Sequence, residues 1–195
     1  MNSEKIRNLI LCAMFAALTA VGAFIKIPVP LVPFTLQLTF TTLAGYILGA
    51  KNGMISVLIY IALGLIGIPV FTEGGGIGYV LKPTFGYIIG FALGAFVTGT
   101  IARKNSRPSY PRLLAAGFAG LAVVYAMGIL YYYLISRFYL GADVTVRSVL
   151  LYCFVLVVPG DIALTFVAAL AAKRIIPVVA AHDVGRRKGD RAENE

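Results

Sequence analysis

The sequence has no tryptophan, a single histidine and two cysteines. Each scarcity excludes something. A zinc site draws on several His or Cys ligands at close spacing, whereas Cys12 and Cys153 lie far apart inside apolar blocks and His182 sits in a polar C-terminal stretch. The cysteines read as small buried hydrophobes, and neither metal nor cofactor is expected. Catalytic parts are equally short: there is no Ser/His/carboxylate set, no pair of carboxylates on one helix and no HExxH. The chain is not expected to be an enzyme. With no tryptophan, tyrosine must supply any interfacial aromatic belt, and Tyr131, Tyr132, Tyr133 and Tyr139 suit that role.

Charge is scarce too. Only 13% of residues are charged, against roughly 25% in a soluble domain. Hydrophobic residues make up 59%, mean hydropathy is +0.89, and the apolar residues come in long blocks. The formal charge of +9 raises the possibility of nucleic acid. The basic residues fall between and beyond the apolar blocks, however, and form no basic face with interleaved aromatics. No nucleic-acid partner is expected.

A helix needs about 20 apolar residues to cross a bilayer core about 30 Å thick. Segments of that kind are expected at Ile6–Ile25, Phe34–Ala50 (short), Gly53–Phe71, Thr84–Ala102, Leu113–Ile135 and Ser148–Ala172. This predicts an all-α integral membrane protein, a compact bundle of six transmembrane helices. With the N-terminus inside, all but four of the 17 basic residues, Arg107 among them, lie on the inner side. The outer four are Lys26, Lys82, Arg137 and Arg147. Positive loops face the cytoplasm, so both termini are expected there. Lys5 and Arg7 ahead of LILCAMFAALTAVGAF give the start the outline of a signal peptide. That run is long for a signal core and five further blocks follow, so it is read as a retained span. Residues 1–181 are expected to form one transmembrane domain, and 182–195 a charged, disordered cytoplasmic tail.

The stretch GGGIGYVLKPTFGYIIGF, Gly74–Phe91, has the look of a phosphate loop but fails its patterns. Lys82 is followed by Pro83 and preceded by no glycine, and GxGxxG ends on Tyr79 or Leu81 in place of glycine. This chain alone is not expected to hydrolyse ATP. The glycines allow close backbone approach to a ligand on the outer face, or simply a flexible turn. Pro83-Thr84 then opens a helix whose first N–H groups attract anions and carbonyl oxygens.

Polar residues within the apolar blocks carry the functional signal. Asp161, in LVVPGDIALTF, lies where an aspartate costs ~2.5–3.5 kcal/mol on the insertion scale. It reads as a ligand-binding carboxylate facing a cavity, or as a cap on a helix restarted after Pro159-Gly160. The two roles are compatible. Thr35, Gln37, Thr39, Thr41 and Thr42 make the second block polar near its outer end, and Gln37 has a full amide to satisfy. Tyr79, Tyr87 and Tyr152 offer rings to an apolar ligand and hydroxyls to its polar end. In AMFAALTAVGA, Ala13 and Ala17 are four apart, as are Ala16 and Ala20. That spacing lets another helix approach closely, within the bundle or from a partner.

Four of these stretches together, VPFTLQ at Val32–Gln37, the glycine run Gly74–Gly78, PTFGY at Pro83–Tyr87 and PGD at Pro159–Asp161, resemble the biotin-specific substrate-capture subunits (S components) of energy-coupling-factor vitamin transporters, the BioY family. The resemblance spans nearly the whole chain. It implies that biotin is captured from outside at the cytoplasmic membrane of a prokaryote. A separate membrane scaffold and two ATPase subunits would drive its release inward. Biotin is then the transported ligand and not a cofactor. The resemblance also implies that Ala13 and Ala17 form the docking surface for the scaffold. The expected ligand site comprises Thr35, Gln37, Gly74, Gly75, Gly76, Tyr79, Lys82, Thr84, Tyr87, Tyr152 and Asp161. Asp161 would accept the urea-like N–H groups of biotin, with Gln37 or Tyr87 completing the set. Backbone N–H groups of Gly74–Gly78 could help with either end of the vitamin.

The chain departs from the family pattern at Leu164, and at Lys82 and Phe85, where the family more often shows glycines. Leu164 stands where the family commonly has a lysine three residues after the aspartate. Lys82, at the expected mouth, is proposed to replace that cation for the biotin carboxylate, with Arg147 next in line. The other readings open at this point are an S component for riboflavin or thiamin, a self-sufficient secondary carrier, and a small membrane enzyme.

Overall fold

The computed structural model describes residues 3–29, 31–104 and 108–192, with side chains from 5 to 179 within those ranges. Arg107, residues 193–195 and the tail side chains beyond 179 lie outside it. Helix α1 is Ser3–Phe24. The proline-rich stretch after it turns back as a two-residue hairpin, β1 (Lys26–Ile27) against β2 (Phe34–Thr35), with Lys26 opposite Thr35 and Ile27 opposite Phe34.

Helix α2, Gln37–Leu65, covers the second and most of the third apolar block as one element. It contains a non-helical residue, Gly49, at φ 82° and ψ −177°, a conformation reserved for glycine. The chain doubles back there. A straight helix would separate residues 37 and 60 by about 35 Å, yet the Gln37 Nε2–H donates to the Tyr60 hydroxyl at 2.6 Å. A Cβ on Gly53 would lie 3.0 Å from the Gly45 Cα, so the two arms touch backbone to backbone.

Helix α2 ends at Leu65, and the chain then forms the glycine-rich loop and a short 3-10 turn, Ile77–Leu81. Helix α3 follows at Phe85–Ala102 and α4 at Tyr110–Leu134, with a proline in its first turn and a π-helical turn after it, Ile135–Tyr139. These two helices pack closely through glycines: a Cβ on Gly94 would reach 3.0 Å from the Gly120 carbonyl. The last apolar block is not one helix. It consists of α5 (Val146–Leu150), a π-helical turn (Leu151–Val155) and α6 (Val158–Ala192). The backbone of α6 thus continues as helix into the segment read as a charged tail.

Among the described residues five helices are long and apolar enough to cross a membrane, the folded α2 counting as one. Their outward faces carry Leu9, Ile10, Val21, Leu130, Leu134, Val167 and Leu170, all exposed. Such a surface suits lipid, which takes the place of water around backbone groups bonded within helices. The small-residue positions of α1 divide: Ala16 is buried against Tyr60, Phe71 and Tyr79, whereas Ala13 and Ala17 face outward.

Candidate ligand-binding site

A cavity of about 550 Å³, its open mouth included, lies between the hairpin, α2, α3, α4 and the start of α6. Six of the residues expected from sequence line it: Thr35, Gln37, Tyr79, Thr84, Tyr87 and Asp161. Its apolar wall is Val32, Pro33, Leu38, Ile88, Phe91, Val124 and Val157, and Thr72 and Tyr125 add polar groups. A largely apolar enclosure with a few convergent polar groups is the usual form of a small-ligand site.

Asp161 is 6% exposed and stands in the first turn of α6. A π-helical turn followed by a proline breaks the helix before it. In the π-turn the Leu156 N–H bonds back to the Leu151 carbonyl, and the Val157 N–H bonds to Phe154, which leaves the Cys153 carbonyl free of its ordinary helical partner. The Tyr87 hydroxyl donates to that carbonyl at 3.0 Å. Pro159 has no N–H to offer, and its fixed φ suits the first turn of the new helix. Phe34 packs on the bare face of Gly160, where a Cβ would come within 2.6 Å of its ring. The hairpin is thereby seated on the Pro-Gly-Asp turn, and two stretches distant in sequence meet at one wall. The Asp161 carboxylate accepts a hydrogen bond from the Tyr125 hydroxyl at 2.5 Å.

Gln37 belongs to a second polar network. Thr35 Oγ1 donates to the Gln37 Oε1 at 3.3 Å, Gln37 Nε2–H donates to Tyr60, and the Tyr60 hydroxyl reaches the Val70 carbonyl at 3.3 Å. Thr84 Oγ1 is buried in the cavity wall without a hydrogen-bond partner. Buried polar atoms are nearly always paired, so an unpaired hydroxyl on a cavity-lining residue has a hydrogen bond to give to a ligand.

The glycine loop covers this site by means other than its glycines. Phe71 is buried against Gly64 and stacks between Tyr60 and Tyr79, with ring centroids 5.4 Å and 4.5 Å away. The Gly74 and Gly76 N–H groups bond to Phe71 and Gly64 carbonyls at 3.3 Å and 2.7 Å. A Cβ on Gly75 would collide with the Ile68 carbonyl. Gly74, Gly75 and Gly76 therefore fold the loop down onto the end of α2 and do not line the cavity. Its lining side chains are Thr72 and Tyr79, joined hydroxyl to hydroxyl at 3.0 Å.

Lys82 does not line the cavity either. Its Nζ pairs with Glu73 at 2.6 Å and lies 4.9 Å from the centre of the Tyr79 ring. Lys26 donates to the Thr72 carbonyl at 2.9 Å, so both cations gather at the rim near the two lid side chains. Arg147 is exposed on α5, and Tyr152 is half-buried on the π-turn away from the cavity lining. Tyr125 and Thr72 were not singled out in the sequence. A tyrosine in mid-helix, in LAVVYAMG and away from the interfacial belt, was the available signal for Tyr125. Among the described residues no three His, Cys, Asp or Glu side chains group as metal ligands.

This arrangement defines a class: a multi-helix membrane protein with a largely apolar cavity, open at its mouth, that has one buried carboxylate at its wall. The BioY family model matches residues 1–181, and the chain belongs to the BioY family. It is 47% identical over 178 residues to the probable biotin transporter BioY of Lysinibacillus sphaericus, covering 91% of each chain. It is 42% identical to the biotin transporter BioY of Thermotoga maritima, over 87% of this chain and 95% of that one. Its fold matches the crystal structure of the S-component for biotin from an ECF-type ABC transporter with a TM-score of 0.77 at 27% identity, covering 90% and 93% of the two chains.

Proposed function

We propose that this protein is the substrate-capture subunit of a biotin uptake transporter, binding the vitamin from outside in the cavity beside Asp161. The observation that carries the reading is a buried carboxylate, Asp161, lining one largely apolar cavity together with Thr84, whose buried hydroxyl is unpaired, in a chain of the BioY family. Biotin has a urea-like ring with two N–H donors and a carbonyl, an apolar thioether ring and chain, and a terminal carboxylate. Asp161 accepts from the ring N–H groups, and Gln37, Thr84 or Tyr87 meets the remaining polar atoms. Val32, Phe91, Val124 and Val157 cover the thioether ring. Pairing of buried polar groups separates a vitamin from lipid, because an analogue lacking those groups leaves Asp161 with only its bond from Tyr125.

Six membrane-crossing arms follow if the two arms of α2 count separately on either side of Gly49, with both termini in the cytoplasm. The likeness to an S-component of an ECF-type ABC transporter supports partners that supply energy, a membrane scaffold and two ATPase subunits. The outward positions of Ala13 and Ala17 support α1 as the face that meets the scaffold. The protein binds and releases biotin without chemistry, and needs no cofactor or metal. Residues 1–181 act as one domain in a prokaryotic cell membrane.

The test is titration of purified protein stripped of endogenous vitamin, with riboflavin and thiamin as controls. Saturable binding of biotin alone is expected, and Asp161→Asn is expected to weaken it by about 10–100-fold, the scale of one hydrogen bond to a charged group. Binding of a control in place of biotin would keep the architecture and change the vitamin. Failure of folded, empty protein to bind any of them would return the carrier and enzyme readings.

A further inference from the structure

Asp161 is attached by a short stalk, and the torsion that sets its carboxylate plane is intrinsically broad. A ligand that must place N–H groups on that carboxylate meets a better-defined acceptor if something fixes the plane. Tyr125 is placed to do so. Its hydroxyl donates to Oδ2, and it is the one side-chain donor to this carboxylate among the described residues. Oδ1 is left for the ligand.

Tyr125 is itself held. Its ring meets Tyr87 edge-on with centroids 5.9 Å apart at 90°, and meets Phe154 at 5.3 Å and 85°. Tyr87 is pinned by its bond to the Cys153 carbonyl and lies against Gly128, where a Cβ would come within 2.5 Å of its ring. The same Tyr125 ring lines a second, apolar recess of about 750 Å³, with Phe118, Leu121, Ala126 and Phe154. That recess shares Tyr125 with the Asp161 cavity as a lining residue, and Ala126, Leu150 and Phe154 in its wall are exposed on the outer surface. The ring is thus a partition as well as a mount.

We infer that Tyr125 is a positioning residue: it fixes the Asp161 carboxylate in one orientation, reserves Oδ1 for the ligand, and closes the cavity on the α4–α6 side. This rests on the reading of Asp161 as the ligand's acceptor. A fixed acceptor distinguishes ligands by where their N–H groups lie. The consequence is selectivity between biotin and a biotin methylated on one ureido nitrogen, beyond affinity alone.

The experiment titrates both ligands into wild type, Tyr125→Phe, Asp161→Asn and the double variant. Tyr125→Phe keeps the ring and removes the hydroxyl. It is expected to weaken biotin about tenfold, the scale of one hydrogen bond to a charged group, and to narrow the gap between the two ligands by a similar factor. In the Asp161→Asn background it is expected to change affinity less than twofold, because the pair acts as a unit. Phe154→Leu, which loosens the clamp but keeps every polar group, is the second variant should Tyr125→Phe fail to fold. It is expected to reduce discrimination about threefold, and unchanged discrimination there would overturn the inference. If Asp161→Asn leaves biotin affinity unchanged, the site reading falls and takes this inference with it. If Asp161→Asn weakens binding but Tyr125→Phe leaves both affinity and discrimination at wild-type values, or adds fully to Asp161→Asn, the positioning role alone is wrong.

Discussion

Lys82 and Glu73 form an exposed pair at the rim of the cavity, with side chains 40% and 53% accessible. Exposed ion pairs contribute only about 0–1 kcal/mol, so a competing carboxylate can take the lysine at little cost. With Leu164 where the family pattern has lysine, Lys82 is the proposed partner for the biotin carboxylate, and Glu73 is then its resident competitor. Lys82→Ala is expected to weaken biotin about threefold to tenfold while leaving biotin methyl ester unchanged. Glu73→Gln is expected to strengthen biotin slightly. Titration of both ligands into both variants checks this, and equal affinities across all of them would turn attention to Lys26. At this scale the sequence was informative wherever a polar group stood in an apolar block, as for Asp161, Gln37 and Thr84. It was less informative where backbone mattered more than side chain: Gly74 and Gly76 look ligand-facing but bond to their own loop and to the end of α2, and Gly75 packs against the Ile68 carbonyl.

Helix α2 depends on one backbone conformation. Gly49 at φ 82° and ψ −177° lets the two arms run back to back, and a Cβ there must adopt a region costing about 1–3 kcal/mol. The space beside it is adequate, the nearest atom to a Cβ being the Arg103 side chain at 3.7 Å. Strain rather than collision is therefore the expected effect. Gly49→Ala should lower the thermal midpoint in detergent by several degrees and weaken biotin only through the shift of Gln37 against Tyr60. An unchanged midpoint would mean that the turn tolerates side chains. Gly160→Ala is a different case, because its Cβ would come within 2.6 Å of the Phe34 ring. It should displace the hairpin from the Pro-Gly-Asp turn and cost binding more than stability, measured by titration alongside the midpoint. The turn at Gly49 falls inside the block read as Phe34–Ala50, whereas the apolar blocks and their punctuation by Lys51 and the prolines were legible in sequence. The π-turn before Asp161 was not, since nothing local requires Leu151–Val155 to wind more loosely.

Across the whole molecule, the proposed topology places residues 51 and 52 at the cytoplasmic side and residues 72 and 141 outside. Single cysteines at Lys51, Thr72 and Gly141, in a background lacking Cys12 and Cys153, test it in intact cells with a membrane-impermeant thiol reagent. Labelling at Thr72 and Gly141 from outside, and at Lys51 only after permeabilisation, is expected. If α2 instead crossed the bilayer once as a single span, Lys51 would lie within the bilayer and stay unlabelled. Cys12 and Cys153 themselves are buried, and both should resist the reagent in folded protein.

The sequence by itself determined the solvent and the cast. Scarce charge and long apolar blocks require a bilayer, and basic residues between the blocks indicate orientation. The isolated polar residues name six of the eight polar side chains in the cavity wall. Those inferences rest on composition and spacing, which are local properties. Only the tertiary structure decided which polar groups share a space: that Phe34 sits on Gly160, that Phe71 and Tyr79 close the lid, and that Tyr125 reaches Asp161. The last pairing joins residues 36 positions apart, and such contacts are set by how closely the helices pack. No property of the chain's local stretches encodes that distance of approach.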